Sequence, residues 1–239
     1  MSPYRRVFPG RHSVLPVVHV ESLKQAKRNA RAARDAGADG IFLINHGMVD
    51  KALLDIHAAV TEALPDFWIG VNCLGLSPHQ VFLAVSPSVG GVWVDNPGID
   101  EDRDDQPYAE RVVALRQSHA PACLYFGGVA FKYQRPVEDL EAACRVAAKY
   151  MDVVTTSGPG TGHAADIEKI RRMKVALGET PLAIASGITP ENVREYLPYA
   201  DSLLVATGIS RNDTELDPGL TRCLVERVRA FADTKPLNA

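Results

Sequence analysis

Six side chains in this 239-residue chain could do acid–base chemistry: His19, Glu21, His46, Asp95, Lys132 and His163. Each stands at or a few residues beyond the end of a short apolar run. A histidine in such a place can shuttle protons near neutral pH. A lysine withdrawn from water can act as an amine nucleophile, and a solvated one can hold an anion. Lys132 is open to both uses, and His19 fits a ligand contact as well as a hydrogen-bonded structural role. His19, Asp95 and Lys132 are the set expected to carry proton transfer or electrostatic stabilisation.

Three glycine-bearing stretches frame these residues. "ASGITPENV" and "VATGISRND" place Ser186, Gly187, Thr207 and Gly208 in turns that follow apolar runs. Glycines let a backbone approach an anion, and free N–H groups at a helix start attract negative charge. The same glycines would also serve tight turns with no ligand. "TTSGPGTGHAADIEKI" resembles a phosphate loop but lacks the Lys-Ser or Lys-Thr of GxxxxGK[ST]. Its glycines also fall at i, i+2 and i+4, outside GxGxxG. This loop is therefore expected to wall a pocket rather than cradle a nucleotide, with Thr161 and His163 facing the ligand and Gly160 or Gly162 helping to hold its phosphate. Asn45, Asn72 and Asn96 carry amides that both donate and accept, suited to sugar hydroxyls or a base, or to capping loops.

The elements that would position these groups alternate. Apolar runs at 14–20, 40–45, 67–72, 91–95, 122–128, 152–156, 181–186 and 201–207 are near-continuous, the pattern of parallel strands covered on both faces. Amphipathic stretches separate several of them, among them 21–36, "DKALLDIHAAVTEAL", "PVEDLEAACRVAAKY" and "DIEKIRRMKVAL". "TPENVREYL" offers Thr189 as N-cap with Pro190 at the first helical position, and "PGLTRCLVERVRAF" closes the series. Eight strand–helix units predict a single (β/α)8 TIM barrel over 1–239, with its active site at the C-terminal strand ends. A doubly wound open sheet is the rival. It usually opens with a glycine-rich turn after its first strand, whereas "HVESLKQA" has none.

Composition sets the remaining bounds. The chain is 46% hydrophobic and 23% charged with net charge −3, mild acidity that argues against nucleic acid as a partner. No apolar run approaches the roughly 20 residues of a membrane-spanning helix, and "MSPYRRVFPGRH" lacks the apolar core of a secretory signal. The four cysteines form no CxxC pair, so reduced thiols and a cytoplasmic location are expected. No cofactor is signalled. No metal site is expected either, since the acidic run at 100–105 lacks the glycine and terminal glutamate of a calcium loop.

The segment "DVVTTSGPGTGHAADIEKI", followed by "ASGITPENVREYL" and "VATGISRND", resembles the BtpA/SgcQ family, as do "AGADGIFLINHG", "IGVNCLG" and "VAFKY" earlier. Three departures accompany the likeness. Ile44 stands where the family usually has an acidic residue, the segment after His19 is shortened to "HVESLKQ", and Ser210–Arg211 replaces a lysine. The resemblance implies a barrel related in form to the ribulose-phosphate-binding barrels. One branch of that family is named for photosystem I biogenesis, another sits in sugar-utilisation operons, and some relatives carry a phosphoribosyltransferase label.

Together these readings predict an enzyme acting on a phosphorylated sugar or nucleotide-like metabolite, by isomerase, lyase or glycosidic-bond chemistry. Its phosphate would lie in the turns after strands 7 and 8. A non-catalytic assembly or regulatory factor that retains the barrel, and a phosphoribosyltransferase-type activity, stay open. The expected partner is a phosphorylated small molecule, without nucleic acid or membrane insertion, and a homo-oligomer is compatible.

Overall fold

The apolar runs become β1 Ser13–Val20, β2 Gly40–Asn45, β3 Trp68–Asn72, β4 Gly91–Val94, β5 Leu124–Gly128, β6 Val153–Thr156, β7 Leu182–Ala185 and β8 Ser202–Val205. In the computed structural model, which describes residues 1–234, these strands pair in sequence order into a closed barrel. Every pairing is parallel, and β8 returns to β1 with Ser202 opposite Ser13. The architecture is the TIM barrel, and the open-sheet alternative is excluded by the β1–β8 pairing.

The strands are apolar throughout because both their faces are buried. One set of side chains, including Val17, Phe42, Trp93, Phe126 and Leu204, fills the barrel interior. The alternate set, including Val18, Leu43, Val71, Val154 and Leu203, packs under the helices. Burying so many large apolar side chains, each worth about 1.5–3 kcal/mol, dominates the stability of the fold.

The helices are α1 Pro3–Val7, α2 Leu23–Asp35, α3 Asp50–Ala63, α4 Pro78–Ala84, α5 Pro107–His119, α6 Leu140–Ala147, α7 Ile167–Leu177, α8 Val193–Tyr196 and α9 Pro218–Thr234. Ser22, Asp139 and Asp166 cap α2, α6 and α7 by accepting from the backbone N–H three residues on. None of them is long and apolar enough to cross a membrane.

One local expectation changes and one element is added. "TPENVREYL" keeps its cap, because Thr189 Oγ1 accepts from Glu191 N and Asn192 N, but only Val193–Tyr196 is α-helical. The N-terminal segment, which carried no structural expectation, folds as α1 and closes the N-terminal end of the barrel. Tyr4, fully buried, shares a hydrogen bond with Ser13 Oγ at 2.9 Å and donates to the Asp201 carbonyl at 2.7 Å.

Candidate functional site

Parallel closure brings all eight strand ends to one rim, so residues far apart in sequence meet there. His19 lies in β1, His46 just past β2, Asp95 just past β4 and Lys132 in the turn after β5. Thr161 and Gly162 follow β6, Ser186 follows β7, and Thr207 begins a 3-10 turn, Thr207–Ile209, after β8. These residues line one pocket of about 210 Å³. Its floor is apolar, made by Val17, Ile44, Trp93, Ala185 and Leu204. Ile44, where the resemblance implied an acidic residue, is part of that floor.

The ionisable groups press on one another. The His19 and His46 rings meet edge to face, with centroids 4.6 Å apart. Burial, followed by the charge of His46, holds His19 below its usual range, against the pull of a hydrogen bond to the Asp213 backbone. Burial pushes Asp95 up, opposed by a hydrogen bond from Asn72 Nδ2 at 3.2 Å and by the charges of Lys132 and His46. Burial also lowers Lys132, with Asp95 restoring part of its charge preference. The Lys132 Nζ donates to Thr161 Oγ1 at 3.3 Å. The pocket therefore holds a carboxyl driven towards its protonated form beside an imidazole driven towards its neutral form.

The turn that delivers Lys132 is conformationally strained. Ala130 and Tyr133 both have positive φ, 47° and 63°, uncommon for side chains with a Cβ. Lys169, on α7, fastens this turn from beneath. Its Nζ donates to the Ala130 carbonyl at 2.7 Å and to the Ser157 carbonyl at 2.8 Å, while Ser157 Oγ accepts from Lys132 N at 2.8 Å. Sequence reasoning passed over Lys169, for one more lysine on an amphipathic helix carries no distinguishing signal. His46 was visible as an acid–base candidate but stood outside the expected catalytic set.

The expected binding residues divide. Ser186, Thr207, Thr161 and Gly162 line the pocket. Ser186 does so with φ 92°, a conformation that a residue with a Cβ rarely adopts. Asn45 is turned to structural use, donating to the Met48 carbonyl and Asp50 and accepting from Leu74 N. Asn72 lines a neighbouring cleft and reaches the pocket only through Asp95. His163 is exposed, with Nδ1 3.1 Å from the Thr161 carbonyl, and neither it nor Gly160 lines the pocket.

Gly187 and Gly208 serve close packing between turns. A Cβ on Gly187 would lie 2.3 Å from Ala164 Cα, and one on Gly208 would lie 1.9 Å from the Ile188 carbonyl oxygen. Their lack of a side chain is what lets the turns after β6, β7 and β8 stack. Among the described residues, no cluster of three or more His, Cys, Asp or Glu side chains is placed to hold a metal.

Comparison with known proteins places this geometry among relatives. The model of the BtpA family matches residues 106–232. An uncharacterised protein of Thermococcus kodakarensis is 28% identical over 227 residues, covering 85% of each chain. The photosystem I biogenesis protein BtpA of a Synechocystis strain is 22% identical, covering 90% of this chain and 82% of that one. Among solved structures, (S)-3-O-geranylgeranylglyceryl phosphate synthase of Thermoplasma acidophilum, in complex with sn-glycerol-1-phosphate, superposes with a TM-score of 0.68. It is 17% identical, with 95% of this chain and 97% of that one covered, a likeness of fold.

Proposed function

The chain belongs to the BtpA family, and from that premise we propose that it is an enzyme acting on a phosphorylated sugar or nucleotide-like small metabolite. The observation that carries this reading is the convergence of His19, His46, Asp95 and Lys132 on one apolar-floored pocket, together with Ser186 and Thr207. A phosphate would be held at the turns after β7 and β8 by the Ser186 and Thr207 hydroxyls and by neighbouring backbone N–H groups, as barrels of this form often do. Lys132 supplies the positive charge, and Thr161 and Gly162 wall the same side.

The acid and base have distinct environments. Burial pushes the Asp95 carboxyl towards the protonated form, which suits it to donate a proton, and pushes the His19 imidazole towards the neutral form, which suits it to accept one. Isomerisation, aldol-type cleavage and glycosidic-bond chemistry all draw on an anchored phosphate beside such a pair. Native mass spectrometry of freshly purified protein tests the substrate class by identifying a co-purifying metabolite. Titration with inorganic phosphate tests the site, with Trp93 fluorescence as the readout. Absence of a phosphorylated metabolite together with an unchanged fluorescence would sink this reading.

A second reading, a barrel that serves as an assembly or regulatory factor, draws on apolar side chains around the mouth: Val49 is 72% exposed and Leu74 44%. Under it, Val49→Ser would weaken partner capture and leave phosphate binding intact.

A further inference from the structure

A second cavity, about 470 Å³, opens beside the mouth between the turns that follow β3 and β4. Asp95 and Leu74 line both it and the inner pocket, so the two cavities share a wall. Their chemistry differs. The inner pocket presents Lys132 and two histidines, whereas no lysine, arginine or histidine lines the cleft. Asn72, Asn96, Tyr108 and Gln134 supply amide and hydroxyl groups there instead. Gly98, at φ 72°, lies against the Tyr108 ring so closely that a Cβ would come within 2.7 Å of it, which keeps the ring along the cleft.

Size points the same way. Pockets for small molecules usually enclose about 300–1,000 Å³, and the inner pocket at about 210 Å³ falls short of that range until the cleft is added. The wider opening above the pocket, about 570 Å³, carries Glu21 and Asp213, whose charge suits an entrance rather than a seat for an anionic substrate.

We propose that the cleft receives the second half of a bipartite substrate: a neutral ring bearing hydroxyl or amide groups. This ring is joined to the phosphorylated half in the inner pocket by a bond that passes the Asp95 carboxyl. The inference rests on the phosphate reading of the inner pocket. Amides that both donate and accept match such a ring, and Tyr108 offers it an aromatic surface. A charged group would find no counter-ion in the cleft other than Asp95 and would be costly to desolvate there.

Isothermal titration calorimetry on the full chain tests this with three probes. Ribose 5-phosphate carries the phosphorylated half alone. Uridine 5′-monophosphate and a phosphorylated disaccharide carry both halves and separate a heterocycle from a glycosyl ring. At least one two-part probe should bind about tenfold or more tighter than ribose 5-phosphate. That advantage should fall below about threefold in Tyr108→Ala and in the exposed-site variant Asn96→Ala. An unchanged affinity for ribose 5-phosphate in these variants shows that they remain folded. Equal affinity for all three probes overturns the cleft assignment and leaves the phosphate reading standing. An advantage retained in both variants overturns it as well. No binding by any probe overturns the phosphate reading, and this inference with it.

Discussion

Ser186 holds φ 92° at the end of β7, where glycine would be the undemanding choice. Such a backbone conformation costs on the order of 1–3 kcal/mol and persists where the side chain is needed. Ser186→Gly is therefore expected to raise stability to urea by about 1 kcal/mol while weakening phosphate binding. A variant that gained stability and bound phosphate unchanged would show the hydroxyl to be idle. Lys132 makes a complementary prediction. Under the phosphate reading its ammonium faces the anion, and burial lowers it from its usual value of 10.5. Phosphate affinity should then decline as pH rises towards that lowered value, since the amine loses its charge. Lys132→Met should weaken binding about tenfold and flatten that decline, measured by calorimetry between pH 7 and 10. The sequence pointed to His19, Asp95 and Lys132 because each stands at or just beyond the end of an apolar run, and the three do line one pocket. It could not reveal that Asn45 faces Met48 and Asp50, or that Lys169 braces the turn of Lys132, because both depend on which carbonyls the folded loops present.

At the scale of elements, strand positions were legible almost to the residue, for burial on both faces leaves a continuous apolar run. Helix limits were less so. "TPENVREYL" carries a strong start signal, yet only Val193–Tyr196 is α-helical, with its C-cap Leu197 directly before Pro198. The glycines at 187 and 208, which the sequence suggested for close approach to an anion, also let one turn stack on another. Periodicity could not announce α1, since five residues are too few for it to register, and its one signal is Ser2 as N-cap before Pro3, the same pattern as Thr189–Pro190. Its importance lies in what Tyr4 closes: the ring fills the base of the barrel, and its hydroxyl meets Ser13, which in turn meets Ser202 Oγ at 2.8 Å. Tyr4→Phe keeps the ring but removes the donor to the Asp201 carbonyl, and should cost about 1–3 kcal/mol in urea unfolding. Tyr4→Ala adds a cavity and should cost about 3–5 kcal/mol. Equal losses for the two variants would show that the hydroxyl, rather than the filled volume, secures the element.

For the whole molecule, two buried histidines and a partly buried one tie stability to pH. His12 and His57 are almost fully buried, His19 is partly so, and burial holds all three below the ordinary value of 6.5. The unfolded chain therefore takes up protons first as pH falls. The stability these histidines contribute is fully present above about pH 6.5 and is lost on acidification through their lowered values. Each adds up to about 1.4 kcal/mol per pH unit to the slope. Asp95 and Asp152 act with the opposite sign. Burial raises both above 3.8, so their contribution is greatest at low pH and fades as pH rises through their folded values. The net slope should consequently be positive but less than three protons' worth. His57, whose Nε2 lies 3.1 Å from the Ile69 carbonyl and far from the mouth, isolates one histidine. Urea midpoints between pH 5.5 and 7.5 should show a shallower slope in His57→Gln than in the parent, and an unchanged slope would refute the burial argument. His19 adds a coupling to the site. Phosphate bound beside it would favour the imidazolium, so saturating phosphate should flatten the acid loss in the parent chain. In Lys132→Met, where anion binding is weakened, the same phosphate concentration should leave the slope as it was.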